Sequence, residues 1–126
     1  MGTFADAVAN AVLNAIARGT SYAGNAALWV QVHTGDPGSA GTNNLATNTT
    51  RQQVTFGVVA SGRTIANTAL VRWTGVPATE NYAWVSVWDA STSGNFIGRD
   101  DLSPATTVNA GDTFTIPIGN VTMTFT

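Results

Sequence analysis

The chain has no cysteine and no lysine. Without cysteine there is no disulfide, no thiolate nucleophile and no thiolate ligand for a metal. Histidine occurs once, as His33, so imidazole chemistry is confined to a single position. Charge is scarce: the charged fraction is 10%, and the net charge is −2. All of the basic residues are arginine. A nucleic-acid binder would need a basic face, and an electrostatic membrane binder a polybasic cluster; neither is expected here. No apolar run approaches the roughly 20 residues needed to span a bilayer. The first residues lack the basic region of an export signal, so a cytoplasmically made, non-exported protein is expected.

What remains is 44% hydrophobic residues set in a background of Thr, Asn, Ser and Gly. Thr suits strands, and Asn and Gly suit turns, so the mixture reads as a β-rich protein with a neutral polar surface. The length of 126 residues corresponds to a single domain, 1–126.

Residues 3–18 differ from the rest. Phe4, Val8, Val12 and Ile16 recur at helical spacing, with Ala5, Ala9 and Leu13 beside them. Thr3 stands as N-cap with Asp6 as its capping partner. Arg18 suits the C-terminal dipole and Gly19 the stop. The spacing predicts an N-terminal helix over 3–18. Its apolar stripe is wide for a small domain, which makes Phe4, Val8, Val12 and Ile16 a candidate assembly interface as well as a candidate packing face.

From residue 26 onward the period is two. Leu28, Val30 and Val32 alternate with Trp29, Gln31 and His33, predicting a strand before the Gly35-Asp36-Pro37-Gly38 turn. Residues 39–50 read as a long polar loop. A strand is expected over Gln53–Val59, with Val54, Phe56 and Val58 on one face, then a turn at Ser61-Gly62. One or two strands follow from Ile65 to Trp73, broken near Asn67. Tyr82–Asp89 is the strongest strand, with Tyr82, Trp84, Ser86 and Trp88 on one face and Ala83, Val85 and Val87 on the other. Phe114–Ile118 and Val121–Phe125 are expected to pair as a hairpin about Gly119-Asn120, with Pro117 at an edge or bulge. Seven to nine short strands and no interleaved helix predict a mainly β fold. The expected architecture is an antiparallel β-sandwich or jelly-roll-like domain over 26–126 behind one N-terminal α-helix.

The inventory for catalysis is thin. A Ser–His–Asp triad could use only His33, and no serine sits in a G-x-S-x-G elbow. His33, Asp100 and Asp101 are read as turn residues. No D-x-D-x-D-G loop surrounds the Asp100-Asp101 doublet, and no glycine-rich phosphate loop is present. The expectation is no catalytic residue, no cofactor and no metal. Tyr82, Trp84 and Trp88 share a strand face by simple alternation, which makes them a candidate aromatic binding face for sugar.

Four segments recur together in one known group. They are His33-Thr34-Gly35-Asp36-Pro37-Gly38, Arg51-Gln52-Gln53-Val54-Thr55-Phe56-Gly57, Trp88-Asp89-Ala90 with Gly94-Asn95, and Asn109 to Thr113. In order and spacing they resemble small structural proteins of tailed bacteriophages of actinobacteria, named variously as minor capsid, head decoration or tail fibre proteins. The resemblance covers about residues 26–126. It implies a virion component made in the host cytoplasm, with no enzymatic role. The leading expectation is a capsid decoration or minor capsid protein on the capsid exterior. It would be a homotrimer bound to the phage major capsid protein, without nucleic-acid or membrane partners. The alternative is a tail fibre or tail-tip protein with a receptor- or carbohydrate-binding role.

Overall fold

Alternation of β-branched and aromatic residues makes strand the dominant regular structure after residue 27. The computed structural model describes residues 2–25, 27–58 and 62–125. Its elements are β1 (Thr3–Phe4), α1 (Asp6–Arg18), β2 (Leu28–His33), β3 (Gln52–Val54), β4 (Thr64–Ala66), β5 (Val71–Trp73), β6 (Glu80–Trp88), β7 (Phe96–Val108), β8 (Phe114–Ile116) and β9 (Thr122–Thr124). The protein is mainly β with one helix near its N-terminus, as expected.

Seven strands form one mixed sheet in the order β3-β2-β6-β7-β1-β9-β4, and β5 and β8 form a separate two-stranded ribbon. The long pairings β2·β6 and β6·β7 are antiparallel, whereas β1 runs parallel to β9. The sheet curls until its two edges meet. Just beyond β3, Phe56 bridges to Asn67 just beyond β4. Gly57 N–H donates to the Ala66 carbonyl at 3.0 Å, and Thr68 N–H to the Thr55 carbonyl at 2.9 Å.

The core lies between the curled sheet and the ribbon, in a sandwich-like arrangement. Val30, Val32, Val85 and Val87 from β2 and β6 meet Val71, Trp73, Phe114 and Ile116 from β5 and β8. The rings of Trp73 and Phe114 lie 5.8 Å apart, and Trp73 Nε1–H reaches the Thr50 carbonyl at 2.8 Å. The indole thereby buries its body and still satisfies its donor.

Several local expectations are corrected. The helix begins at Asp6, not at residue 3; its N-cap is Ala5, with no side-chain cap bond. Thr3 and Phe4 form β1, inserted between β7 and β9. The expected stop is present, with Gly19 left-handed at φ 67°. The strand after Arg51 ends at Val54, and Val58 is 96% exposed, so Val54, Phe56 and Val58 do not share a buried face. Val59 and Ser61, the ends of that expected strand and turn, lie outside the described residues.

The expected C-terminal hairpin does not form. β8 pairs with β5, and β9 pairs with β4 and β1, so the Gly119-Asn120 turn passes the chain from the ribbon to the sheet. Asn67, 2% exposed, organises that passage. Its side-chain amide donates to the carbonyls of Ala69 (2.8 Å) and Pro117 (3.1 Å), and its side-chain oxygen accepts from Val121 N–H (2.9 Å). Its own backbone bonds both Val121 and Gly119. A polar residue in this position is stable only because each of its groups is matched.

Candidate interaction surface

The expected aromatic face does not form as one stripe. β6 and β7 lose register between Tyr82 and Trp84: Tyr82 pairs with Thr106 but Trp84 with Asp101. The irregularity resets the alternation. Tyr82 therefore joins Val85 and Val87 in the core, fully buried, its ring edge-on to Phe114 at 5.0 Å. Trp84 stays on the other face, half-buried and opposite His33.

Trp88 shares that outer face but is covered. Its indole N–H donates to Ser86 Oγ at 2.7 Å, its ring lies 5.4 Å from Phe96, and the Arg51 guanidinium stacks 4.2 Å above it. Arg51 also donates, through Nε, to Gln31 Oε1 and, through Nη1, to the carbonyls of Ala90 and Ser93. A cation on an aromatic face, held also by three hydrogen bonds, acts as a clamp between β2 and the turn after β6.

The polar loop expected over residues 39–50 is part of a longer connection, residues 34–51, that is folded down onto this face. Asp36 Oδ1 accepts from Gly38 N–H (2.9 Å) and from Arg99 (3.0 Å). Asn44 donates to the Asp36 carbonyl, and Thr34 N–H to the Asn44 carbonyl. Gly41 sits on the rings: a Cβ there would fall 2.5 Å from Phe96 and 2.9 Å from Trp88. Ala46 and Asn48 are buried farther along.

Beneath the loop lies His33, the last residue of β2, which is hydrogen-bonded and completely buried. Its Nδ1 faces the Asn43 carbonyl at 2.9 Å and its Nε2 faces Ser86 Oγ at 2.7 Å. A carbonyl can only accept, so the network places the proton on Nδ1 and leaves Nε2 to accept from the Ser86 hydroxyl. Burial lowers the His33 pKa, keeping the ring neutral. This is the spacing of a nucleophile and its base. Both residues are at zero exposure, however, and the group orienting the imidazole is a carbonyl rather than a carboxylate.

Asp100 and Asp101 lie within β7, not in a turn. Asp100 is buried and accepts from Thr122 N–H at 2.7 Å. Burial pushes its pKa up to about 6, against the opposing pull of that N–H. Asp89 is the reverse case: Asn95 donates to it from backbone (2.7 Å) and side chain (2.9 Å), holding the exposed carboxylate below its usual range. Among the described residues no three His, Asp or Glu side chains group so as to hold a metal ion.

Two shallow, polar depressions flank the segment Thr49–Thr50. One, of about 410 Å³, is closed on its far side by Thr74–Pro77; the other, of about 530 Å³, by Ser91–Ser93. Their walls are mostly hydroxyl and amide side chains, joined by Trp73 and Pro77 in the first and Arg51 in the second. They offer hydrogen-bonding groups but no activated nucleophile.

The helix is the most exposed apolar element. None of its residues is buried. Val8 packs on the core and Val12 is half-buried, while Leu13 is 54% and Ile16 77% exposed. Phe4 is not on the helix; in β1 its ring lies 6.3 Å from Phe125. The four residues grouped by helical spacing are thus divided between a sheet strand, the core and solvent.

No curated protein matches the chain. A protein-family model does, that of the podophage GP4 fiber I protein gp80, over residues 3–124. The match begins at β1, so it takes in the helix that lay outside the motif-bearing region 26–126. The protein therefore belongs to the podophage GP4 fiber I protein gp80 family and is a structural protein of the bacteriophage virion.

Proposed function

We propose that the protein is a fibre-type component of the phage particle, carried on the tail apparatus, with a binding role rather than a catalytic one. The observation that carries this reading is the match to a fibre-protein family over residues 3–124, helix and β region together. The sealed His33–Ser86 pair supports a non-enzymatic role, because a nucleophile at zero exposure offers substrate no approach. The scarcity of charge supports close packing of copies, where like charges would repel.

The two hydroxyl- and amide-lined depressions beside Thr49–Thr50 are the surfaces best suited to a neutral, hydroxyl-rich receptor. A capsid-decoration role, with the major capsid protein as partner, is the competing reading. Labelled antibody against the protein, imaged on intact particles, separates the two. Label confined to the tail, with a copy number of a few to tens, supports the fibre reading. Label distributed over the head in hundreds of copies overturns it.

A further inference from the structure

Helix α1 has two properties that point to its partner. The first is exposure: Leu13 and Ile16 project to solvent from a helix in which no residue is buried. The second is symmetry of sequence about Val12. Ala7 mirrors Ala17, Ala9 mirrors Ala15, and Asn10 mirrors Asn14; Ile16 mirrors Val8 in sequence, but Val8 packs on the core and Ile16 is left to meet the partner's Ala9. The ends carry opposite charge, with Asp6 in the first turn and Arg18 in the last, and nothing charged between them.

We propose that α1 packs antiparallel against α1 of a second copy of this chain, across a twofold axis near Val12 and Leu13. An isologous contact demands a surface complementary to itself. A helix whose residues repeat in reverse order meets that demand when it lies against its own copy head to tail. Asp6 of one copy then lies level with Arg18 of the other, at both ends of the contact. The two helix dipoles oppose, which favours the same orientation. The alanines allow close approach of the two backbones, and Leu13 and Ile16 supply the apolar knobs. A parallel or threefold arrangement would gather the Asp6 residues at one end and the Arg18 residues at the other.

The helix is about 20 Å long, which is short for a standard interface of roughly 800 Å² per partner. The contact is therefore weak in dilute solution and gains from copies held close together on a particle.

Sedimentation of the full chain, from micromolar concentration upward, tests the proposal. The expected result is a reversible two-copy species. Ile16→Asp should weaken it at least tenfold while circular dichroism stays unchanged, since Ile16 is exposed in the single chain. Orientation is tested by mixing Ala9→Cys and Ile16→Cys proteins under mild oxidation, which is clean because the chain has no cysteine of its own. The antiparallel contact predicts that the mixed disulfide dominates. Predominant like-with-like disulfides, a three-copy species, association untouched by Ile16→Asp, or a monomer at every concentration would each overturn it.

Discussion

Asn67 and Val121 are bonded twice, the Asn67 side-chain oxygen to Val121 N–H at 2.9 Å and the Asn67 N–H to the Val121 carbonyl at 3.1 Å. The pair lies where the sheet closes and where the chain passes from ribbon to sheet. Asn67→Ala would leave the Val121 N–H and the carbonyls of Ala69 and Pro117 without their side-chain partner. The expected loss is about 3 kcal/mol in denaturant unfolding. Asn67→Asp should do no better, because a carboxylate cannot donate to two carbonyls. A loss under about 0.5 kcal/mol would show that the latch is not required.

Ser86 serves two buried partners at once, His33 Nε2 and Trp88 Nε1. Ser86→Ala removes both bonds and leaves two nitrogens unsatisfied under the 34–51 loop. A destabilisation of about 2 kcal/mol is expected, with a change in tryptophan fluorescence. Particle assembly should persist where folding does. A hydrolytic activity in the wild type that this substitution abolished would refute the non-enzymatic reading.

Gly41 combines a left-handed backbone, φ 74°, with direct contact to the rings of Phe96 and Trp88. Gly41→Ala must strain the backbone and push the rings apart. A loss of about 2 kcal/mol is expected, measured as a lower melting temperature. Gly62, also left-handed but with open space around it, is the control and should cost about 1 kcal/mol or less.

Asp100 makes stability depend on pH in the less usual direction for a carboxyl. Its folded pKa, about 6, lies above the unfolded value near 3.8, so the folded state holds the proton more tightly. The associated stability is complete below about pH 4 and is lost as the pH rises through about 6, by at most about 3 kcal/mol. Unfolding curves between pH 4 and 7.5 should therefore differ between wild type and Asp100→Asn. The wild type should fall relative to the variant as pH rises. Parallel profiles would refute the assignment.

The strands most legible in the sequence were β2 and β6, where apolar residues alternate without interruption. The helix stop was legible too, because Gly19 supplies the left-handed residue that ends it. What could not be read were effects set by distant partners. Tyr82 alternates correctly with Trp84 and Trp88, yet a register shift against β7 puts it in the core. Phe114–Ile118 and Val121–Phe125 look like the two arms of a hairpin, and no local rule shows that each pairs elsewhere. Thr3 and Phe4 read as the start of the helix because a two-residue strand leaves no period to detect. Residues 39–50 read only as a polar loop, with no sign of how the loop is held down. Its anchoring depends on one arginine above an indole and one glycine between two rings. Asn67 did leave a signal, an amide interrupting an apolar run, but two of its side-chain partners, Pro117 and Val121, lie 50 and 54 residues away in sequence.

Closure of the seven-strand sheet through Phe56 and Asn67 bears on crowding. Unpaired strand borders are templates on which neighbouring chains add further strands, and proteins stored at high density are most exposed to that hazard. Here the two borders are tied together at their ends by one bridge and two backbone hydrogen bonds. Neighbouring copies crowded on one particle thus find no ready ladder there to extend, and their mutual recognition falls to side chains. Such recognition can be weak and reversible, and it ends where its geometry closes. Opening the Phe56–Asn67 seam would expose both borders together, converting a self-limiting assembly into one prone to open-ended growth.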